Sequence, residues 1–206
     1  NIIIPGLIDL HIHAPQYAFR GMGMDMQLLD WLNTYAFKEE GKYRDLEYAK
    51  KQYSKFVSDV KNSATTRLSI FATLHKDATI MLMDMLEEAG IKAYVGKVNM
   101  DRNSPEFLTE DTLKSKEDTI EWLEDTKDRY KNIKPILTPR FIPSCTDNLM
   151  EEIKQINNIY NIPVQSHLSE NKSEIEWVAE LHPDTKNYAE AYDKYNLFGK
   201  NNKTIM

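Results

Sequence analysis

The chain has 206 residues, 41% hydrophobic and 10% aromatic, enough to bury a substantial core in a globular unit. Its formal net charge is −6, with 32 acidic residues spread among 26 Lys and Arg rather than gathered into a tail, which argues against nucleic-acid binding and points to a small substrate. A lone cysteine, Cys145, excludes an internal disulfide; with no signal-peptide pattern and no apolar run near the ~18 to 20 residues of a membrane span, a cytoplasmic protein is expected.

Residues 5–13 read as one buried strand. Alternation places Ile8, Leu10 and Ile12 on one face and Asp9, His11 and His13 on the other. An unpartnered buried polar group costs ~1 to 3 kcal/mol, so neighbouring imidazoles need a partner. A divalent metal is one such partner, and two histidines satisfied within the core are the alternative. Residues 14–41 form a long excursion rich in Met and aromatics, with a short helical stretch around Leu28, Leu29 and Leu32.

Leu46, Ala49, Tyr53, Phe56, Val57 and Val60 then recur at mostly three- and four-residue steps, one helical stripe. Residues 65–74 read as a second strand, 78–89 as a helix that Gly90 closes, and 92–100 as a third strand. A charged helix follows with Leu113, Ile120, Leu123 and Tyr130 toward the core, then a fourth strand at 134–141. Thr146 is the expected N-cap of a helix carrying Leu149, Ile153, Ile156 and Tyr160. A fifth strand at 162–169, a helix with Ile175, Val178 and Leu181, and the opening of a sixth strand at 203–206 complete the series.

Alternating strands and helices imply a parallel sheet, either doubly wound or a (β/α)₈ barrel. Polar residues decide for the barrel, because His11, His13, Arg140 and His167 all fall at strand C-terminal ends. No GxGxxG or Walker-type loop follows any strand. The predicted fold is therefore α/β, a partial TIM-type barrel. Five strands and part of a sixth cannot close one, so residues 1–206 are expected to be the N-terminal barrel segment of a longer protein.

The run Pro5-Gly6-Leu7-Ile8-Asp9-Leu10-His11-Ile12-His13 resembles the first-strand signature of the amidohydrolase superfamily of metal-dependent hydrolases and deaminases. The continuation resembles, in the same order, the guanine deaminase family. It comprises His13-Ala14-Pro15-Gln16-Tyr17, Leu28-Leu29-Asp30-Trp31-Leu32, Phe71-Ala72-Thr73-Leu74-His75, Val95-Gly96-Lys97-Val98, Thr138-Pro139-Arg140-Phe141 and Gln165-Ser166-His167-Leu168-Ser169-Glu170.

The resemblance implies hydrolysis of guanine to xanthine and ammonia at one metal per chain, zinc or else iron, in a homodimer. His11, His13 and His167 match metal ligands, and Glu170 matches a proton-shuttling carboxylate. Gln16, Arg140 and the backbone of Phe141 match groups that hold the purine, with Trp31 a weaker pocket candidate. By strand parity Glu170 points away from His167, so the strand is expected to end first and the loop to turn Glu170 inward. The family's remaining ligands, a histidine after the sixth strand and an aspartate after the eighth, are expected beyond Met206, and an N-terminal β-sandwich outside the chain.

Plainer readings exist for each group. Glu170 could be a solvated first-turn carboxylate, and Arg140 a structural ion-pair partner. His75 reads as a packing residue beside the site rather than a ligand, and His182 as a surface residue. Met22, Met24 and Met26 either wall the pocket or fill core or lid space. Asn62-Ser63-Ala64-Thr65-Thr66 replaces a glycine-containing turn of the family pattern, which leaves the second strand's register open. Two other functions compete: hydrolysis of a different aminopurine, pterin or triazine, and a non-catalytic scaffold that keeps the barrel.

Overall fold

Paired strands in the computed structural model, which describes residues 2–199 and 202–206, all run parallel. Strands β1 (Leu7–His13), β2 (Thr65–Phe71), β3 (Lys92–Gly96) and β5 (Ile133–Pro135) lie side by side in that order. Strand β4 (Val98–Asn99) pairs with β6 (Thr138–Pro139), and β7 (Val164–Gln165) with β8 (Thr204–Ile205). Single hydrogen bonds stitch these groups together. Val98 N donates to Thr73 O at 3.1 Å, Leu137 N to Pro163 O at 2.9 Å and Gln165 N to Leu137 O at 2.8 Å. Thus β3 with β4, and β5 with β6, are interrupted strands, giving six successive positions of a parallel α/β sheet.

Parallel neighbours require crossovers, and helices supply them. Helices α1 (Leu28–Trp31) and α2 (Phe37–Glu40) belong to the first excursion; α3 (Leu46–Lys61), α4 (Lys76–Glu88), α5 (Thr112–Thr126), α6 (Asp147–Tyr160) and α7 (Lys172–Leu181) follow successive strand positions, with α8 (Tyr188–Asp193) before β8. The stripe predicted for α3 is buried at Ala49, Tyr53, Phe56, Val57 and Val60, and the carboxylate of Asp45 caps its start, accepting from Glu47 N at 2.9 Å. Thr146 caps α6 as expected, its hydroxyl accepting from Leu149 N at 3.1 Å. These helices pack on Leu68, Ile70, Ala93, Val95, Ile133 and Val164 of the sheet. Among the described residues no helix is long and apolar enough to cross a membrane.

Several expectations are corrected. Strand β1 is not buried: Leu7, Ile8 and Leu10 are 54–56% exposed, because β1 is the edge of the sheet among the described residues. Its register against β2 also shifts between Asp9 and Ile12, so His13 lies level with Phe71 while Ile8 lies level with Arg67. Simple alternation therefore does not carry from Asp9 to Ile12, whereas His11 and His13, two residues apart, converge on one side. Leu113 is exposed; it sits nine residues, two and a half helical turns, from fully buried Trp122 and so on the opposite face of α5. His182 is buried. It follows α7 where Pro183 forbids another helical turn, and its ring tucks against the start of α6, Nε2 lying 3.8 Å from Asp147 Oδ1.

Two local features bear on the site. Between α1 and α2 the chain takes a π-helical turn, Leu32–Ala36. Leu28, Leu32, Ala36 and Glu40 recur at strict four-residue steps, longer than the 3.6 of an α-helix, and a wider turn keeps such a row on one side. At the end of β3, Gly96 is required by close approach: a Cβ there would lie 1.7 Å from Thr138 Oγ1 and 2.7 Å from Ile136 O. The next residue, Lys97, is fully buried and donates to Glu110 Oε1 at 2.7 Å.

Candidate active site

The C-terminal ends of β1, β6 and β7 converge on a cavity of about 420 Å³. His11, His13, Gln16, Trp31, Arg140, Phe141, His167 and Glu170, eight residues singled out in the sequence, all line it. His75 does not join them, and neither do the exposed Met22 and Met24 nor Met26.

The three histidines form one cluster. Strand β1 delivers His11 and His13, the loop after β7 delivers His167, and a donor atom from each lies within 4.8 Å of the others. Phe71 is the floor, stacked on the His13 ring with centroids 4.5 Å apart. His167 is oriented from behind: its Nδ1–H donates to the Arg140 carbonyl at 2.6 Å, which leaves Nε2 as the lone-pair atom. That Nε2 lies 3.0 Å from Nε2 of His13. Burial is the main cause that depresses all three pKa values, slightly countered at His11 by Asp9, and it takes His167 down to about 3. The rings are therefore neutral at pH 7. Neutral imidazoles with converging nitrogens fit a divalent cation, while His13 Nδ1 is buried with no partner and two facing nitrogens need a proton or cation between them.

The same cavity has a polar wall. The Arg140 guanidinium is buried and bound at two points by Glu40, through Nη1–Oε2 and through Nη2–Oε1 at 3.0 Å. Gln16 Nε2 donates to the same Glu40 Oε1 at 2.9 Å. Glu40 was not foreseen from sequence. Its signal was a carboxylate in the four-residue row of Leu28, Leu32 and Ala36, where an apolar residue belongs. Of the other candidates, Phe141 has its carbonyl engaged by Ser144 N and Oγ at 3.0 Å, and Trp31 spends its indole N–H on Met22 O at 2.9 Å.

Glu170 sits on the rim. Strand β7 ends at Gln165, and Ser169 in the left-handed conformation (φ +58°) turns the chain so that Glu170 and His167 line the same cavity. Fully buried Glu174 holds this turn: its Oε2 accepts from Glu170 N at 2.9 Å and Asn171 N at 3.2 Å, while Oε1 accepts from Tyr188 OH at 2.7 Å. Desolvation against the cavity wall, and secondarily the Glu174 charge, raise the Glu170 pKa, with Arg140 opposing. A carboxyl that holds a proton more readily than usual is suited to acid–base exchange.

The chain as a whole is similar to known proteins. Guanine deaminase from C. acetobutylicum, solved with guanine bound in its active site, is 52% identical with a TM-score of 0.95 over 98% of this chain and 48% of that one. Guanine deaminase of Mus musculus is 43% identical over 210 residues, covering all of this chain and 45% of the mouse protein. An adenosine deaminase from Xanthomonas campestris with bound zinc, 18% identical, shares the fold at a TM-score of 0.79 over 97% of this chain and 44% of that one. The chain thus spans less than half the length of each. Residues 2–205 match the sequence model of the Amidohydrolase family, and the chain belongs to that family.

Proposed function

We propose that the full-length protein containing this chain hydrolyses guanine to xanthine and ammonia. The observation that supports it best is one cavity of about 420 Å³ shared by three neutral imidazoles, a guanidinium, a carboxamide and a carboxylate. In this reading His11, His13 and His167 hold a divalent metal, zinc or iron, one per chain. When bound, such an ion lowers the pKa of a water from ~15.7 toward ~7.

The chain's own residues do the rest. Trp31, Leu32 and Phe141 enclose the flat base, Arg140 donates to the O6 and N7 edge, and Gln16 completes the polar contact. Glu170 takes a proton from the attacking water and delivers it to N3 as the C2–O bond forms. It then carries the remaining hydroxyl proton to the exocyclic amine, the C2–N bond breaks and ammonia leaves, so one carboxyl serves both transfers. The reading extends to a cytoplasmic homodimer in which residues 1–206 form the first part of the barrel, with the β-sandwich and the remaining strands outside the chain.

The test is ammonia release by the full-length protein with guanine, adenine, cytosine and melamine, with metal content measured on the same sample. Release from guanine alone, with metal in proportion to protein, is expected. Bound metal with a different preferred base would reassign the pocket; metal-free, inactive protein would leave only the scaffold.

A further inference from the structure

Glu40 ends α2 with its side chain 3% exposed, and its carboxylate receives three hydrogen bonds, two from Arg140 and one from Gln16. A carboxylate only accepts. Gln16 must therefore turn its NH₂ toward Glu40, which leaves Oε1, an acceptor, for the cavity it lines. Arg140 commits one N–H from each terminal nitrogen to Glu40 and has its guanidinium 5.2 Å over the Phe37 ring, so its plane is fixed and its remaining N–H groups are donors to the cavity.

We propose that Glu40 is a positioning residue that sets the pocket's hydrogen-bond order, a donor from Arg140 beside an acceptor from Gln16, and so selects a 6-oxo over a 6-amino purine. The proposal rests on the guanine reading and deepens it. A 6-oxo base offers an acceptor oxygen with a ring N–H beside it, the complement of this order. A 6-amino base offers a donor next to an unprotonated ring nitrogen, and both contacts then set like against like. Sites whose polar groups are left unpaired by an analogue reject it far more strongly than apolar pockets reject a change of size.

The metal side is untouched by this role. Glu40 has no hydrogen bond to His11, His13, His167 or Glu170; its side-chain hydrogen bonds in the site are with Arg140 and Gln16. Loss of its charge should accordingly change how the base is held rather than how water is activated.

The experiment compares wild type and Glu40→Gln of the full-length, metal-loaded protein on guanine, 2,6-diaminopurine and 2-aminopurine, which all carry the reacting C2 amine. The glutamine keeps the volume, but its NH₂ must face an N–H donor. The expected result is KM for guanine up by about 10-fold or more with kcat within about 3-fold, and guanine's kcat/KM advantage over 2,6-diaminopurine narrowed by about 10-fold. A merely structural role would lower the yield of active protein and leave KM and the selectivity ratio in place, and that outcome overturns the proposal. Wild type that ignores guanine overturns the parent reading with it, whereas active wild type with an unmoved variant overturns this inference alone. Should the variant not fold, a crystal structure of the wild-type guanine complex decides: Gln16 Oε1 and Arg140 N–H groups on the base with Glu40 still bound supports it, and an Arg140 released from Glu40 refutes it.

Discussion

Glu174→Ala in the full-length protein should lower stability and turnover together, by amounts the contacts set. The substitution removes acceptors from Tyr188 OH, Glu170 N and Asn171 N. Tyr188 is 4% exposed, so its stranded hydroxyl costs about 1 to 3 kcal/mol. Water reaches the two amides at the rim, and losing their capping carboxylate costs about 0.5 to 2 kcal/mol. The sum is about 1.5 to 5 kcal/mol, read as a lower urea midpoint at unchanged slope. In Glu174→Ala/Tyr188→Phe no hydroxyl is stranded, so the double variant should be more stable than the two single losses added together by about 1 kcal/mol or more. Turnover of guanine should fall by about 10- to 100-fold with little change in KM, because the Ser169 turn that aims Glu170 loses its tether while the purine contacts stay. A variant within about 0.5 kcal/mol of wild type, which is the spread of ordinary surface changes, would refute the structural reasoning. Normal turnover in a destabilised variant would refute only the link to Glu170.

Glu170→Gln should keep its metal and lose about 100-fold or more in turnover, whereas His167→Ala should lose metal and activity together; metal analysis beside ammonia release separates the two. Arg140→Ala should widen the choice of base, and it also strands buried Glu40, so about 3 to 5 kcal/mol of stability should go with it and return in part in Arg140→Ala/Glu40→Ala; unchanged preference for guanine would exclude Arg140 from the pocket. For pH, burial takes the His75 pKa down to about 4, Lys97 and Arg44 adding to the effect. The unfolded chain then binds a proton below about 6.5 that the fold refuses until about 4, so stability falls as pH drops through that window. His75→Gln should flatten this dependence, and equal urea midpoints of wild type and variant relative to each other at pH 7 and pH 4.5 would show that His75 does not carry it.

Local chemistry was legible where one element decided it. The α3 stripe and the Thr146 cap needed only neighbours within a few residues, and α3 and α6 stand where periodicity put them. Motif residues that the chain brings together from 11 to 170 were legible by resemblance, and they share one cavity. What failed depended on distant partners or on lateral position in the sheet. No alternation pattern tells an edge strand from a central one, and β1 is the edge of the sheet among the described residues. Residues 28–40 look irregular to a 3.6-residue period because a π turn lies inside them. Glu40 and Glu174 take their roles from partners 100 and 14 residues away, and neither spacing is a sequence signal.

Arg140 explains why these pieces belong to one site rather than two adjacent ones. Its carbonyl fixes the tautomer of His167, and its guanidinium, gripped by Glu40, lines the same cavity. Both groups leave the same residue just past β6, whose backbone is pinned by the bond from Arg140 N to Asn99 O at 3.1 Å. Asn99 is pinned in turn, its side-chain amide donating to Ser115 at 2.9 Å and Thr119 at 2.7 Å on α5. The Arg140 backbone that serves both the imidazole cluster and the polar wall is thus set by strand geometry, and the Glu40 grip then fixes the guanidinium. A shift of β6 would move both at once, so under the proposed reading the reacting carbon of a guanine held by Arg140 would stay in register with the histidine cluster.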